Sequence, residues 1–147
     1  MKKFLGLIFV LILVTTLLAG CKKEVVAPQS IQQNFLPAQM STEKTNYKSS
    51  VTDIKYTIIN KGNTVVTFGE EYSLQKNENK KWVDIPFKKN ISFVAIEHIL
   101  NPNKKYEGDI TLTASDYTFN TGRYRIIIRC YIKDKDNFNV GCDFYIN

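Results

Sequence analysis

The sequence is poor in the residues that carry most enzymatic chemistry. Its 147 residues include one histidine, three cysteines, one tryptophan and only three arginines. A metal centre needs several convergent ligands, and His98, beside Glu97 in an apolar run, has no second histidine to join it. No serine sits in a Gly-x-Ser-x-Gly elbow, and no Cys-x-x-Cys pair suggests redox catalysis. The segment Asp134-Lys135-Asp136-Asn137 has some acidic spacing but lacks the glycine and the bidentate glutamate of a calcium loop. Glu70, Glu71, Asp84, Asp109 and Asp116 are scattered, and nothing selects a pair facing across a cleft, as a glycosidase requires. No catalytic residue, metal or cofactor is therefore expected. No amphipathic stretch competes for a helix, and there is no internal repeat. The formal charge of +6 is too mild to point to nucleic acid.

What the chain does have begins at its N-terminus. Met1-Lys2-Lys3 leads into an uncharged apolar run over residues 4–18, followed by the small Ala19 and Gly20. The run is shorter than the roughly 20 residues that span a bilayer as a helix, and the three parts together form a signal-peptide pattern. Leu18-Ala19-Gly20-Cys21 resembles the lipobox of bacterial lipoproteins. That resemblance implies cleavage before Cys21 and transfer of a diacylglycerol to its thiol. Residues 1–20 are then a signal peptide, 21–40 a lipidated cysteine with a polar tether, and 41–147 a single domain of mild positive charge, about +4. The expected location is the extracytoplasmic face of the bacterial cell membrane, where two acyl chains give stable anchoring.

From about Ser41 the pattern turns to short runs of period-2 alternation split by turn residues. A first edge strand is expected over 40–47. Ile54, Tyr56 and Ile58 share a face of the next strand, and Asn60-Lys61-Gly62-Asn63 is a turn cluster. Residues 64–68 and 71–76 read as strand, with Gly69 between them as a bulge. A hairpin joins 71–76 to 81–85 through a four-residue loop, in a register that sets Tyr72 against Ile85 and Leu74 against Val83. Residues 90–100 are apolar on both parities and fit either a buried strand or a short helix. Further strands are expected over 106–113, 124–132 and 140–146. About seven short strands at this spacing predict an all-β, antiparallel, immunoglobulin-like β-sandwich.

The last hairpin can be assigned a register from its alternation. Ile126 then faces Ile146, Ile128 faces Phe144, and Cys130 faces Cys142 on the core side. Opposed residues of this kind are close enough for a slightly tight disulfide between Cys130 and Cys142. The same two residues would also pack as buried thiols, and the pattern leaves both readings open. The opposite face carries Arg123, Arg125 and Arg129, with Arg129 opposite Asp143. These three arginines form either a basic binding stripe, suited to an anionic envelope polymer or an acidic protein, or a solvated strand face.

Gly122-Arg123-Tyr124-Arg125-Ile126 resembles the entry to strand F of an immunoglobulin-like domain, where a tyrosine bonds back to the upstream backbone. Together with Asn60, Gly69, Tyr72 and Trp82, this order of segments is similar to a bacterial immunoglobulin-like domain family of secreted and lipid-anchored proteins in Gram-positive bacteria. Thr121 stands where such domains often carry proline, and the two cysteines are additions to the pattern. The resemblance covers about residues 40–147 and implies a non-enzymatic binding or scaffold module. The expected partners are the membrane, through the lipid, and an unknown protein or anionic envelope polymer. The alternatives are an inhibitor of an extracytoplasmic protease, a small cell-envelope hydrolase and a structural element of a larger assembly.

Overall fold

The computed structural model describes residues 36–135 and 137–147. The expected signal peptide, Cys21 and most of the tether lie outside the described residues. Among the described residues nine strands run in chain order: β1 (Ala38–Thr42), β2 (Asn46–Tyr47), β3 (Asp53–Asn60), β4 (Val66–Glu78), β5 (Lys81–Ile85), β6 (Glu97–Leu100), β7 (Lys105–Thr111), β8 (Gly122–Tyr131) and β9 (Phe138–Ile146). The fold is all-β, as the alternation predicts. Strand β1 opens at Ala38, within the stretch expected to be tether.

Two sheets face each other. One has three strands in the order β1-β3-β7, all antiparallel. The other has six, in the order β2-β9-β8-β4-β5, with β6 also pairing to β4. One pair departs from the antiparallel expectation, because β2 lies parallel to β9. The core forms where the even-numbered inward residues of both sheets meet: Ile54, Tyr56 and Ile58 from β3, Val66, Phe68, Tyr72 and Leu74 from β4, and Tyr124, Ile126 and Ile128 from β8. Each fully buried aliphatic side chain contributes about 1.5–3 kcal/mol relative to exposure, which is what offsets the ordering of these strands.

Most expected strand positions hold, but the single edge strand expected over 40–47 is two strands in different sheets, β1 against β3 and β2 beside β9, because residues 43–45 cross between the sheets. Two expected registers also fail. In the last hairpin Ile126 faces Cys142, Ile128 faces Val140 and Cys130 faces Phe138. The two cysteines are therefore four residues apart along the pair, about 13 Å at the usual strand rise. Both are buried free thiols. In the β4–β5 hairpin Leu74 faces Ile85 and Lys76 faces Val83. Its loop is only Asn79-Lys80, both left-handed, with φ of 51° and 66°, the backbone of a tight two-residue hairpin turn. In both cases the slip is by an even number of residues. It leaves the same side chains inward, so hydrophobic alternation cannot detect it and the turn decides.

Gly69 does mark an irregularity. Phe68 faces Cys130 and Tyr72 faces Ile128, so Gly69, Glu70 and Glu71 together stand opposite the single Arg129. The bulge turns Glu70 towards the gap between the sheets and Glu71 to the outer face. Residues 90–96 form neither of the expected elements. They run as irregular chain until β6 begins at Glu97.

The resemblance at strand F is met in detail. The Tyr124 hydroxyl donates to the Asn120 carbonyl at 2.7 Å, and its ring stacks on Phe144 with centroids 5.5 Å apart. Buried Asn60 closes the opposite end. Its amide donates to the carbonyls of Thr64 and Leu100, both at 2.8 Å, and its Oδ1 accepts from the Gly62 N–H at 2.9 Å.

Candidate binding face

The outer face of the six-stranded sheet carries the arginine stripe, and its three members differ. Register places Asp143, Arg125, Gln75 and Asp84 in one row across β9, β8, β4 and β5. Arg125 Nε donates to Asp143 Oδ1 at 2.7 Å. Arg123 Nε donates to Asp143 Oδ2 at 3.0 Å, which raises the Arg123 pKa further. Both guanidinium groups also sit over Trp82, at 5.3 Å for Arg123 and 3.9 Å for Arg125. At such distances the ring quadrupole attracts the cation. Asp143 and Trp82 thus occupy these two arginines. The expected partner of Asp143 was Arg129, and the shifted register is the reason it is not.

Arg129 faces Asn139 instead. It is exposed and makes no ion pair among the described residues. It borders a groove of about 370 Å³ beside the bulge, lined also by Glu71, Ser73, Gln75, Asp84, Ile127, Tyr131 and Asn139. Ile127 lies in its floor, between Gly141 and Ser73 in its row. Gln75 Nε2 is held by Asp84 Oδ1 at 2.8 Å. Tyr131 leaves 44% of its surface exposed at the rim. The face mixes both signs, with three arginines set against Asp143, Asp84, Glu71 and, opposite Gly69 on β6, Glu97. It offers paired donors and acceptors rather than a basic field.

His98 is structural in its surroundings. Its Nε2 meets Glu70 Oε1 and lies 3.2 Å from the Tyr106 hydroxyl, while its ring packs on Phe68 and Tyr106 at 5.2 and 4.3 Å. Burial and the neighbouring Glu70 raise the Tyr106 pKa. This cluster joins β4 and β6 of one sheet to β7 of the other. No serine or cysteine joins it among the described residues, and no group of three or more His, Cys, Asp or Glu residues there could hold a metal ion. The thiols are equally quiet. Burial pushes Cys130 up to about 12, and burial with Asp143 pushes Cys142 up to about 12. A thiol of that kind is not a nucleophile near neutral pH.

Sequence reasoning found the arginines but missed Trp82 as their platform and Glu71, Gln75 and Asp84 as their neighbours. Those residues come from β4 and β5, and only the register brings them beside the arginines of β8.

Comparison with known proteins is decisive on one point. The profile of the family described as "Bacterial Ig-like domain" matches residues 34–143. The chain belongs to this family. Distant likenesses to this Ig-like domain occur among solved structures. The archaellum periplasmic stator complex of FlaF and FlaG from Sulfolobus acidocaldarius is 16% identical, with a TM-score of 0.42, covering 80% of this chain and 99% of that one. The CsuC-CsuE chaperone–tip adhesion subunit complex from Acinetobacter baumannii is 10% identical, with a TM-score of 0.43, covering 75% and 57%. The sporulation control protein Spo0M from Bacillus subtilis is 12% identical, with a TM-score of 0.42, covering 76% and 49%. No curated protein matches the chain. Among the described residues no helix is long and apolar enough to cross a membrane.

Proposed function

We propose that this Ig-like domain is a lipid-anchored binding module on the extracytoplasmic face of a Gram-positive cell, held by Cys21 and engaging a protein partner through the groove at Arg129. The observation that carries the reading is the division within the stripe. Arg123 and Arg125 are committed to Asp143 and Trp82, whereas Arg129 stands exposed at the rim of a groove with polar walls. The mixed charge of the face, with four carboxylates beside three arginines, favours a partner with its own mixed donors and acceptors over an anionic polymer, since complementarity sets partner choice. Tyr131 and Arg129 are of the residue types that dominate binding energy in protein interfaces.

The test is crosslinking on intact Gram-positive cells expressing the full chain, with wild type, Arg129→Ala and Arg123→Ala compared. Loss of one specific protein partner with Arg129→Ala, and its retention with Arg123→Ala, is the expected result. Retention with both variants would remove the groove from consideration, and enrichment of no protein over a lipid-anchored control would remove the protein partner. Loss of membrane association in a Cys21→Ser variant tests the anchor separately.

A further inference from the structure

Residues 86–96 connect β5 to β6 and have two unlike sides. The inner side is rooted in the sandwich. Phe87 and Phe93 each pack edge-on against Tyr72 at 5.1 Å and against each other at 5.2 Å. The Lys88 N–H donates to the Ala114 carbonyl at 3.0 Å, and the Ile91 N–H to the Lys88 carbonyl at 3.1 Å. Three aliphatic side chains of the loop nevertheless reach solvent. Ile91 is 37% exposed, Val94 62% and Ile96 51%, three aliphatic side chains within six residues of a firmly seated loop. Exposed apolar surface concentrated in this way marks an interaction site more often than a solvated one.

Charge indicates what the surface meets. Lys88 and Lys89 are exposed at the turn that the Ile91 N–H closes on the Lys88 carbonyl, and no acidic residue occurs from Pro86 through Ile96, although Asp116 lies beside Pro86. Glu97, at the start of β6, is the first. Exposed aliphatic side chains with exposed lysines beside them in the loop match the two layers of an anionic bilayer, an apolar interior under phosphate headgroups. We infer that this loop docks on an anionic lipid surface, with Ile91, Val94 and Ile96 entering the interface and Lys88 and Lys89 meeting the headgroups. The inference rests on the proposed anchorage at Cys21. Three aliphatic side chains and two lysines make a weak contact alone, but a tether turns it into an intramolecular one at high effective concentration. The domain would then sit in a fixed orientation rather than swing on its leash.

The test uses the full lipidated chain in phosphatidylcholine vesicles with and without phosphatidylglycerol. A Val94→Cys variant takes an environment-sensitive fluorophore, since Cys130 and Cys142 are buried, and the protein without the added cysteine gives the background. The expected result is a blue shift and quenching by spin-labelled lipid in vesicles containing phosphatidylglycerol, both lost on adding Lys88→Glu and Lys89→Glu. A Ser73→Cys label in the groove should stay aqueous throughout. Protein that floats with vesicles but leaves the Val94→Cys label unquenched overturns the loop contact and leaves the anchor intact. Equal quenching with and without phosphatidylglycerol overturns the role of the lysines. Protein that fails to float on phosphatidylcholine defeats the anchor. If it is then still quenched on phosphatidylglycerol vesicles the loop contact stands by itself, and if it binds neither, both readings fall.

Discussion

The guanidinium carbon of Arg125 lies 3.9 Å from the centre of the Trp82 ring. The contact spans β5 and β8, two strands with β4 between them, and it fixes the outer face of the sheet at that end. Because Asp143 holds the same guanidinium from the other side, removing either neighbour should loosen it. Trp82→Ala is expected to cost about 1–2 kcal/mol, the worth of a partly desolvated cation–π contact with some packing. Urea unfolding followed by far-ultraviolet circular dichroism measures it. A change below the scatter of replicate titrations would mean that the ring only rests on the surface.

Asn60 should be far less tolerant. It is fully buried and satisfies two carbonyls and one N–H with a single side chain. Asn60→Ala leaves these backbone groups without partners, at a cost of about 3 kcal/mol. Asn60→Asp is expected to be worse at neutral pH, since a carboxylate would face the Thr64 and Leu100 carbonyls with no donor. The order Asn, Ala, Asp in thermal midpoint is the readout, and a midpoint for the aspartate variant above that of alanine would contradict it.

The hydroxyl of Tyr124 can be removed without a cavity. Tyr124→Phe deletes the bond to Asn120 while keeping the ring on Phe144. Loss of about 1 kcal/mol is expected, the usual net value of one such bond. Equilibrium unfolding in guanidinium should show a lower midpoint at unchanged slope.

Alkaline pH should weaken the fold through its two thiols. Their ordinary value is 9.0 and their folded values are about 12. Below pH 9 the thiol is neutral in both states, and its contribution is complete. Between about pH 9 and 12 only the unfolded chain releases the proton, so stability falls with rising pH. Each thiol adds a slope of about 1.4 kcal/mol per pH unit in that window. Replacing both by alanine is expected to lower stability at neutral pH but flatten the alkaline loss. The buried tyrosines keep part of it, since burial also raises Tyr56 and Tyr124. An unchanged alkaline slope in the double variant would refute the assignment.

Strand positions were legible because inward residues alternate, as at Ile54, Tyr56 and Ile58. Register was not, because facing Cys142 with Cys130 or with Ile126 buries the same residues. What separates the two is turn geometry, and the deciding residues carry weak signals. Asn79-Lys80 makes a left-handed turn without glycine, and Asp134 takes φ of 61° in the last hairpin. The groove inherits this problem. Gly69 announces a bulge, but only the strand pairing shows that three residues oppose Arg129 and that Glu71, Gln75 and Asp84 gather beside it. The Glu70–His98–Tyr106 cluster was equally hidden, being built from three strands across both sheets.

The chain leaves its expected tether through β1, in the three-stranded sheet, whereas the groove lies on the outer face of the six-stranded one. A pull between membrane and partner would therefore not run along one sheet. It would cross the sandwich, loading the hydrophobic core together with polar links that stitch it, among them the Tyr72 hydroxyl on the Thr111 carbonyl at 2.8 Å, the Tyr106 hydroxyl on His98 and the Asn60 amide on the Leu100 carbonyl. Under such a pull the domain would be strained across its thickness, and its yield would be set by how well its two layers adhere.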